Sequence, residues 1–152
     1  MGSRGKGRAM PEGEAIDLLR RSQVGRLATS LGDRPYVVPL HFVYDDGRIY
    51  FHCARKGKKM EYIMGNPNVC FEVDELLGLR PGKGPCDWGT RYRSAIAYGR
   101  ARVLLEESEK VEALNKLLEK YAGRGCKIHE APEDVAVVEI EIEGITGKRD
   151  FD

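Results

Sequence analysis

Tyr36-Val37-Val38-Pro39-Leu40-His41-Phe42-Val43-Tyr44-Asp45-Asp46-Gly47-Arg48-Ile49-Tyr50-Phe51-His52-Cys53 reads as two strands and the turn between them. β-branched and aromatic residues fill both runs, and such residues suit a pleated, half-buried surface. Asp45-Asp46-Gly47 closes the first run, and an Asp-Gly pair between two such runs signals a hairpin. Strand side chains alternate, so Ile49, Phe51 and Cys53 share one face while Tyr50 and His52 share the other. A hairpin at this point means antiparallel pairing.

The rest of the chain extends that pattern. Residues 24–30, 69–73, 92–105 and 135–142 read as further strands, which makes about six. In the last of them Val138, Ile140 and Ile142 point inward, and Glu139, Glu141 and Glu143 outward. Gly32, Asp33 and Pro35 form a turn. Pro11, followed by Glu12 and Glu14, opens a helix whose apolar side carries Ile16, Leu18 and Leu19. A short helix over 57–64 turns Met60, Ile63 and Met64 inward. A third helix, capped by Ser108 and stopped by Gly123, sets Val111, Leu114, Leu117, Leu118 and Tyr121 at 3.6-residue spacing. Residues 78–89 form the longest irregular stretch and hold the single Trp, Trp88. Strands and helices do not alternate regularly, which argues against a doubly wound parallel sheet. The expectation is a mainly β fold, an antiparallel barrel with helices on its outside, which removes exposed strand edges.

The 152 residues correspond to one domain, taken as residues 11–152. Residues 1–10 read as a flexible basic tail, or as an upstream start with Met10 as the functional initiator. There are 25 Lys+Arg and 24 Asp+Glu, a formal charge of +1, which argues against a general nucleic-acid binder. No run is apolar enough to span a membrane, and residues 1–10 lack the apolar core of a signal peptide. A cytoplasmic location with reduced thiols follows as the expectation. None of Cys53, Cys70, Cys86 and Cys126 forms a C-x-x-C pair, so no zinc or thioredoxin-like motif is present and no metal site is expected.

The near-zero total hides an asymmetry. Between residues 48 and 62, Arg48, Arg55, Lys56, Lys58 and Lys59 face Glu61 alone; between 103 and 143, five bases face eleven acids. Arg55-Lys56-Gly57-Lys58-Lys59 follows a strand and opens a helix. Cations are unfavourable at a helix N-terminus, whose free N–H groups already carry positive potential. A bound anion removes that conflict, and phosphate is the usual one. A solubilising turn is the plainer reading of the same residues. The motif is not a Walker loop, because Lys59 stands where Ser or Thr is required.

His41, His52 and His129 are not paired at helical spacing, and no G-x-S-x-G elbow occurs. His52 ends the strand that leads into the basic cluster. There it orients a ligand, moves a proton, or stands simply exposed to water.

Five pieces, in order along nearly the whole chain, carry a resemblance. They are Gly25-Arg26-Leu27-Ala28-Thr29; Val37-Val38-Pro39-Leu40 with Tyr44; and Ile49-Tyr50-Phe51-His52 followed by Gly57-Lys58-Lys59. The last two are Tyr92-Arg93-Ser94, followed by Gly99 and Ala101-Arg102-Val103, and Ile145-Thr146-Gly147-Lys148. The chain resembles the flavin-binding split-barrel proteins related to pyridoxamine 5′-phosphate oxidase, most of all their 5-nitroimidazole-reductase type. The resemblance implies a six-stranded antiparallel split β-barrel with flanking helices, a homodimer, and FMN at the subunit interface. It implies that backbone at Val38, Pro39 and Leu40 lines the flavin ring. Lys58 and Lys59, with Arg55 or Lys56, would hold the phosphate. Tyr92 and Ser94 would contact the flavin or its phosphate, from the same chain or from the partner chain, Trp88 would cover the ring, and His52 would be catalytic. The Arg- and His-bearing motif of vitamin B6 oxidases is absent after Gly147, so the implied activity is transfer of electrons from reduced FMN to a small electron-poor acceptor. The alternatives are a non-catalytic flavin- or haem-binding module, with His41 or His52 as the haem ligand, and a deazaflavin-dependent reductase.

Overall fold

A computed structural model describes residues 8–151. It contains one antiparallel sheet of seven strands and three helices. In chain order these are α1 (Glu12–Arg21), β1 (Gly25–Leu31), β2 (Arg34–Leu40), β3 (Val43–Asp45), β4 (Arg48–Ala54), α2 (Lys58–Gly65), β5 (Asn68–Arg80), β6 (Gly89–Val103), α3 (Glu107–Ala122) and β7 (Val135–Asp150). The sheet order is β2-β1-β5-β6-β7-β4-β3.

Two corrections to the expected six-stranded barrel follow. The sheet is not closed, because β2 and β3 stand at its two ends and do not pair with each other. The count is seven because the run from Tyr36 to Tyr44 breaks at His41-Phe42. The break has a physical cause in Phe42. Its backbone N–H donates to the Tyr121 hydroxyl at 3.0 Å, and its carbonyl accepts from Lys120 Nζ at 2.9 Å. Side chains of α3 thus take the place of a strand neighbour. The Phe42 ring is fully buried, edge-on to Phe71 with centroids 4.7 Å apart.

Two tight turns set the register. Asp46 and Gly47 both have positive φ, 44° and 80°, between the Asp45–Arg48 pair. Gly32 and Asp33 do the same, at 57° and 61°, between Leu31 and Arg34. Positive φ at both central positions gives the turn whose twist matches the flanking strands.

β5 and β7 run further than expected. β5 continues through a bulge at Gly78 to Arg80, which pairs with Gly89, so the irregular stretch shrinks to residues 81–88. β7 continues to Asp150, so Ile145–Lys148 is strand paired with β6 and not a tail. Within the basic N-terminal segment, Met10 N–H donates to Gly147 at 2.9 Å, and Ala9 bridges to Lys148. Arg8–Met10 therefore lie along β7; residues 1–7 lie outside the described ones.

The apolar core has two parts. The larger gathers Leu18 and Leu19 of α1, Met60 and Ile63 of α2, and the inward sheet residues Leu27, Ile49, Phe51, Phe71, Val73, Val138 and Ile140. The smaller, under α3, joins Leu114 and Leu117 to Tyr50, Leu104 and Val137. The first half of β7 is therefore buried on both faces. Glu139, expected to point to water, is covered and accepts from Arg102 at 3.2 Å. Met64, expected to face in, is 71% exposed, and Tyr62 is buried instead. Ser108 lies inside α3 and does not cap it; Glu106 holds the cap position. Among the described residues no helix is long and apolar enough to cross a membrane.

Candidate functional site

The β4–α2 junction builds a basic groove. β4 ends at Ala54, paired with Val135 at the start of β7. Arg55 and Lys56 follow, and Gly57 takes φ +143°, a conformation that side chains with a Cβ rarely adopt. α2 begins immediately after it without a side-chain cap. The first N–H groups of α2 are therefore free to meet an anion.

The groove has a volume of about 1070 Å3. Arg55, Lys56, Gly57 and Lys58 line one side. Arg34, the first residue of β2, and Lys110, from α3, approach from two other elements. Among the described residues, Arg34, Arg55, Lys56, Lys58 and Lys110 form no ion pair. By contrast Arg21, Arg26, Arg48, Arg80, Arg93, Arg102 and Arg149 are each paired with a carboxylate. Glu61 is the acid among the groove's lining residues. The ammonium of Lys58 lies 4.8 Å from the Tyr36 ring centroid and 5.8 Å from that of Tyr62. Two aromatic faces thus steady a cation that no carboxylate neutralises.

The structure does not bring all the expected residues here. Lys59 does not line the groove; its ammonium lies 6.0 Å from the Phe51 ring. Val38 and Leu40 pack partly buried against the main core, with Pro39 exposed between them. His52, paired with Val137, points to the α3 side of β4, together with Tyr50. There it is exposed to solvent and lines a separate open cavity with His41. Trp88 is 54% exposed in the β5–β6 loop. Tyr92 and Ser94 pair with Asp150 and Lys148, at the opposite end of β7 from Ala54 and the groove. One chain therefore presents the basic cluster and the Tyr92–Ser94 pair on separated surfaces.

Sequence reading missed Arg34 and Lys110, because nothing local ties either to residues 55–58. Cys53 and Cys70 are part-buried, and burial raises both thiols above their ordinary value.

Residues 11–149 match the family model described as pyridoxamine 5′-phosphate oxidase. The chain belongs to that family. An uncharacterized protein of Rhizobium meliloti is 28% identical over 76 residues; the match spans 50% of this chain and 50% of that protein. Among solved structures, an FAD-binding protein from Mesorhizobium loti is 26% identical, with TM-score 0.69, covering 94% of this chain and 97% of that one. A candidate 5-nitroimidazole antibiotic resistance protein from Bacteroides thetaiotaomicron is 24% identical, with TM-score 0.75 over 94% and 89%. The flavocytochrome Anf3 from Azotobacter vinelandii is 20% identical, with TM-score 0.85 over 99% and 72%. The last two likenesses establish the family's split-barrel fold for this chain.

Proposed function

We propose that the chain is a flavin-binding protein that holds FMN by its phosphate in the basic groove and passes electrons from the reduced flavin to a small electron-poor acceptor. The observation that carries this reading is the set of five cations that form no ion pair among the described residues, drawn from three parts of the chain onto one groove beside an uncapped helix N-terminus. Unpaired cations repel one another, and a dianionic phosphate ester offsets that repulsion while taking up free N–H groups. Family membership and the FAD-binding relative support the same ligand class.

The flavin, when bound, supplies the redox chemistry. This chain's residues supply the rest. Arg55, Lys56 and Lys58 hold the phosphate, with Arg34 and Lys110 closing on it from β2 and α3. Backbone at Val38, Pro39 and Leu40 offers the edge against which a flat ring lies. His52 holds or moves a proton from the far side of β4. Tyr92, Ser94 and Trp88 serve the groove of a second copy, because within one chain they stand at the other end of β7. The assembly is then a homodimer with the flavin between subunits.

Titration of the flavin-free protein with FMN, followed by fluorescence, tests the reading. Saturable binding that weakens with salt and is lost in Arg55→Ala/Lys58→Ala supports it. Binding unchanged by that double substitution removes the phosphate from this groove.

A further inference from the structure

A second cavity, of about 390 Å3, lies between α3 and the strand ends that carry the two histidines. Leu114, Leu117 and Leu118 of α3 form one wall, and Ile128, Pro132 and Val135 form another. His41, His52 and Tyr121 complete the lining, with no Lys, Arg, Asp or Glu among the lining residues. Both imidazoles are exposed to solvent, and among the described residues neither hydrogen-bonds to another residue. Its size falls in the range of small-molecule sites, which are mostly apolar with a few converging polar groups.

The walls are fixed before any ligand arrives. Asn115 donates to the Ile128 carbonyl at 3.1 Å and accepts from the Ile128 N–H at 2.8 Å. Glu107 accepts from the Ala131 N–H at 2.7 Å. These bonds pin the loop after α3 across the helix. On the other side the Tyr121 hydroxyl donates to the Gln23 carbonyl at 2.6 Å and accepts from the Phe42 N–H at 3.0 Å. The Tyr121 ring lies 5.0 Å from His41, centroid to centroid. Val135 lines both this cavity and the basic groove, so the two adjoin.

We infer that this cavity binds a small uncharged aromatic molecule carrying a hydrogen-bond acceptor, its ring among the α3 leucines and its acceptor against the imidazoles of His41 and His52. A charged ligand would lose hydration against walls that hold no opposite charge. A purely apolar one would cover both exposed imidazoles and displace their water without returning a hydrogen-bond partner. The use of the site, as the place where the electron acceptor docks, rests on the flavin reading; its existence does not.

Calorimetric titration of the flavin-free full chain with acetophenone and with ethylbenzene tests the inference. The two probes have similar shape, and only the first carries an acceptor oxygen. The wild-type protein should bind acetophenone about two- to tenfold more tightly, the worth of one net hydrogen bond. His41→Leu/His52→Leu should erase that preference while still binding ethylbenzene, which also shows that the variant folds. Leu118→Trp, at the half-buried rim, should block both probes. The inference is overturned if neither probe binds, if binding survives Leu118→Trp, or if the preference survives loss of both histidines. It is equally overturned if haemin gives a Soret band that His52→Ala abolishes. FMN added to the same samples separates the two claims: acetophenone binding without FMN binding sinks the flavin reading and leaves the cavity standing.

Discussion

Lys120 Nζ donates to the Phe42 carbonyl at 2.9 Å and lies 3.8 Å from the centroid of the Phe42 ring. It also donates to the Ser22 carbonyl at 2.6 Å. One ammonium thus ties the end of α3 to the break between β2 and β3 and to the exit of α1. Among the described residues no carboxylate pairs with it, and burial lowers it from its ordinary 10.5 to about 8. Between those values the folded chain has released a proton that the unfolded chain still holds, so this group makes stability rise with pH. Urea unfolding of wild type and Lys120→Met at pH 7.5 and pH 10 checks this. The wild type should gain on the variant at the higher pH. An unchanged gap would show that the amine titrates normally.

Glu72 carries the opposite sign. Burial first, and its neighbour Asp74 second, raise its carboxyl from 4.5 to about 7. Among the described residues its Oε1 has no hydrogen-bond partner, although Arg26 stands 3.6 Å away. The folded chain then binds the proton more tightly, so this contribution is full below pH 4.5 and lost as pH rises through 7. Glu72→Gln should gain stability relative to wild type between pH 5 and pH 8. A constant difference across that range would contradict the assignment.

Gly99 sits at the register shift between β6 and β7. A Cβ there would lie 2.3 Å from the Glu141 carbonyl oxygen, which is backbone and has little room to move. Gly99→Ala should therefore cost more than about 2 kcal/mol, in the range of substitutions that strain a packed sheet. Thermal unfolding measures it, and a loss under about 0.5 kcal/mol, ordinary for surface sites, would show that the register relaxes freely.

Gly57 tests the groove without removing a charge. Its φ of +143° is strained for any other residue, while a Cβ there would meet nothing. Gly57→Ala should cost about 1–3 kcal/mol or reshape the β4–α2 turn. FMN affinity should fall along with stability. Undiminished affinity would mean that the turn does not shape the phosphate site.

Much of this fold was legible because its signals are local. The Asp46-Gly47 turn, the 3.6-residue spacing of Leu114, Leu117 and Tyr121, and the alternation after Val135 each depend on neighbours in sequence. The break at Phe42 does not. Its backbone partners, Lys120 and Tyr121, lie 78 and 79 residues downstream, and Tyr36–Tyr44 alone looks continuous. Leu79 and Arg80 read as loop beside Gly78 and Pro81, yet ladder pairing with Thr90 and Gly89 holds them in a strand. The site divides in the same way. Arg55–Lys58 is contiguous and could be found. Arg34 and Lys110 arrive from elsewhere, and Lys59 leaves because successive helical residues point about 100° apart. His52 was visible as a candidate, but its pairing with His41 across a cavity depends on α3.

The central claim is that this chain holds a flavin in the basic groove. The most direct measurement is the absorption spectrum of the purified protein before and after added FMN, with the mass of any released cofactor. A flavin-binding chain shows a flavin spectrum, native or after reconstitution, that Arg55→Ala/Lys58→Ala weakens or abolishes. A colourless protein that takes up no FMN would contradict it.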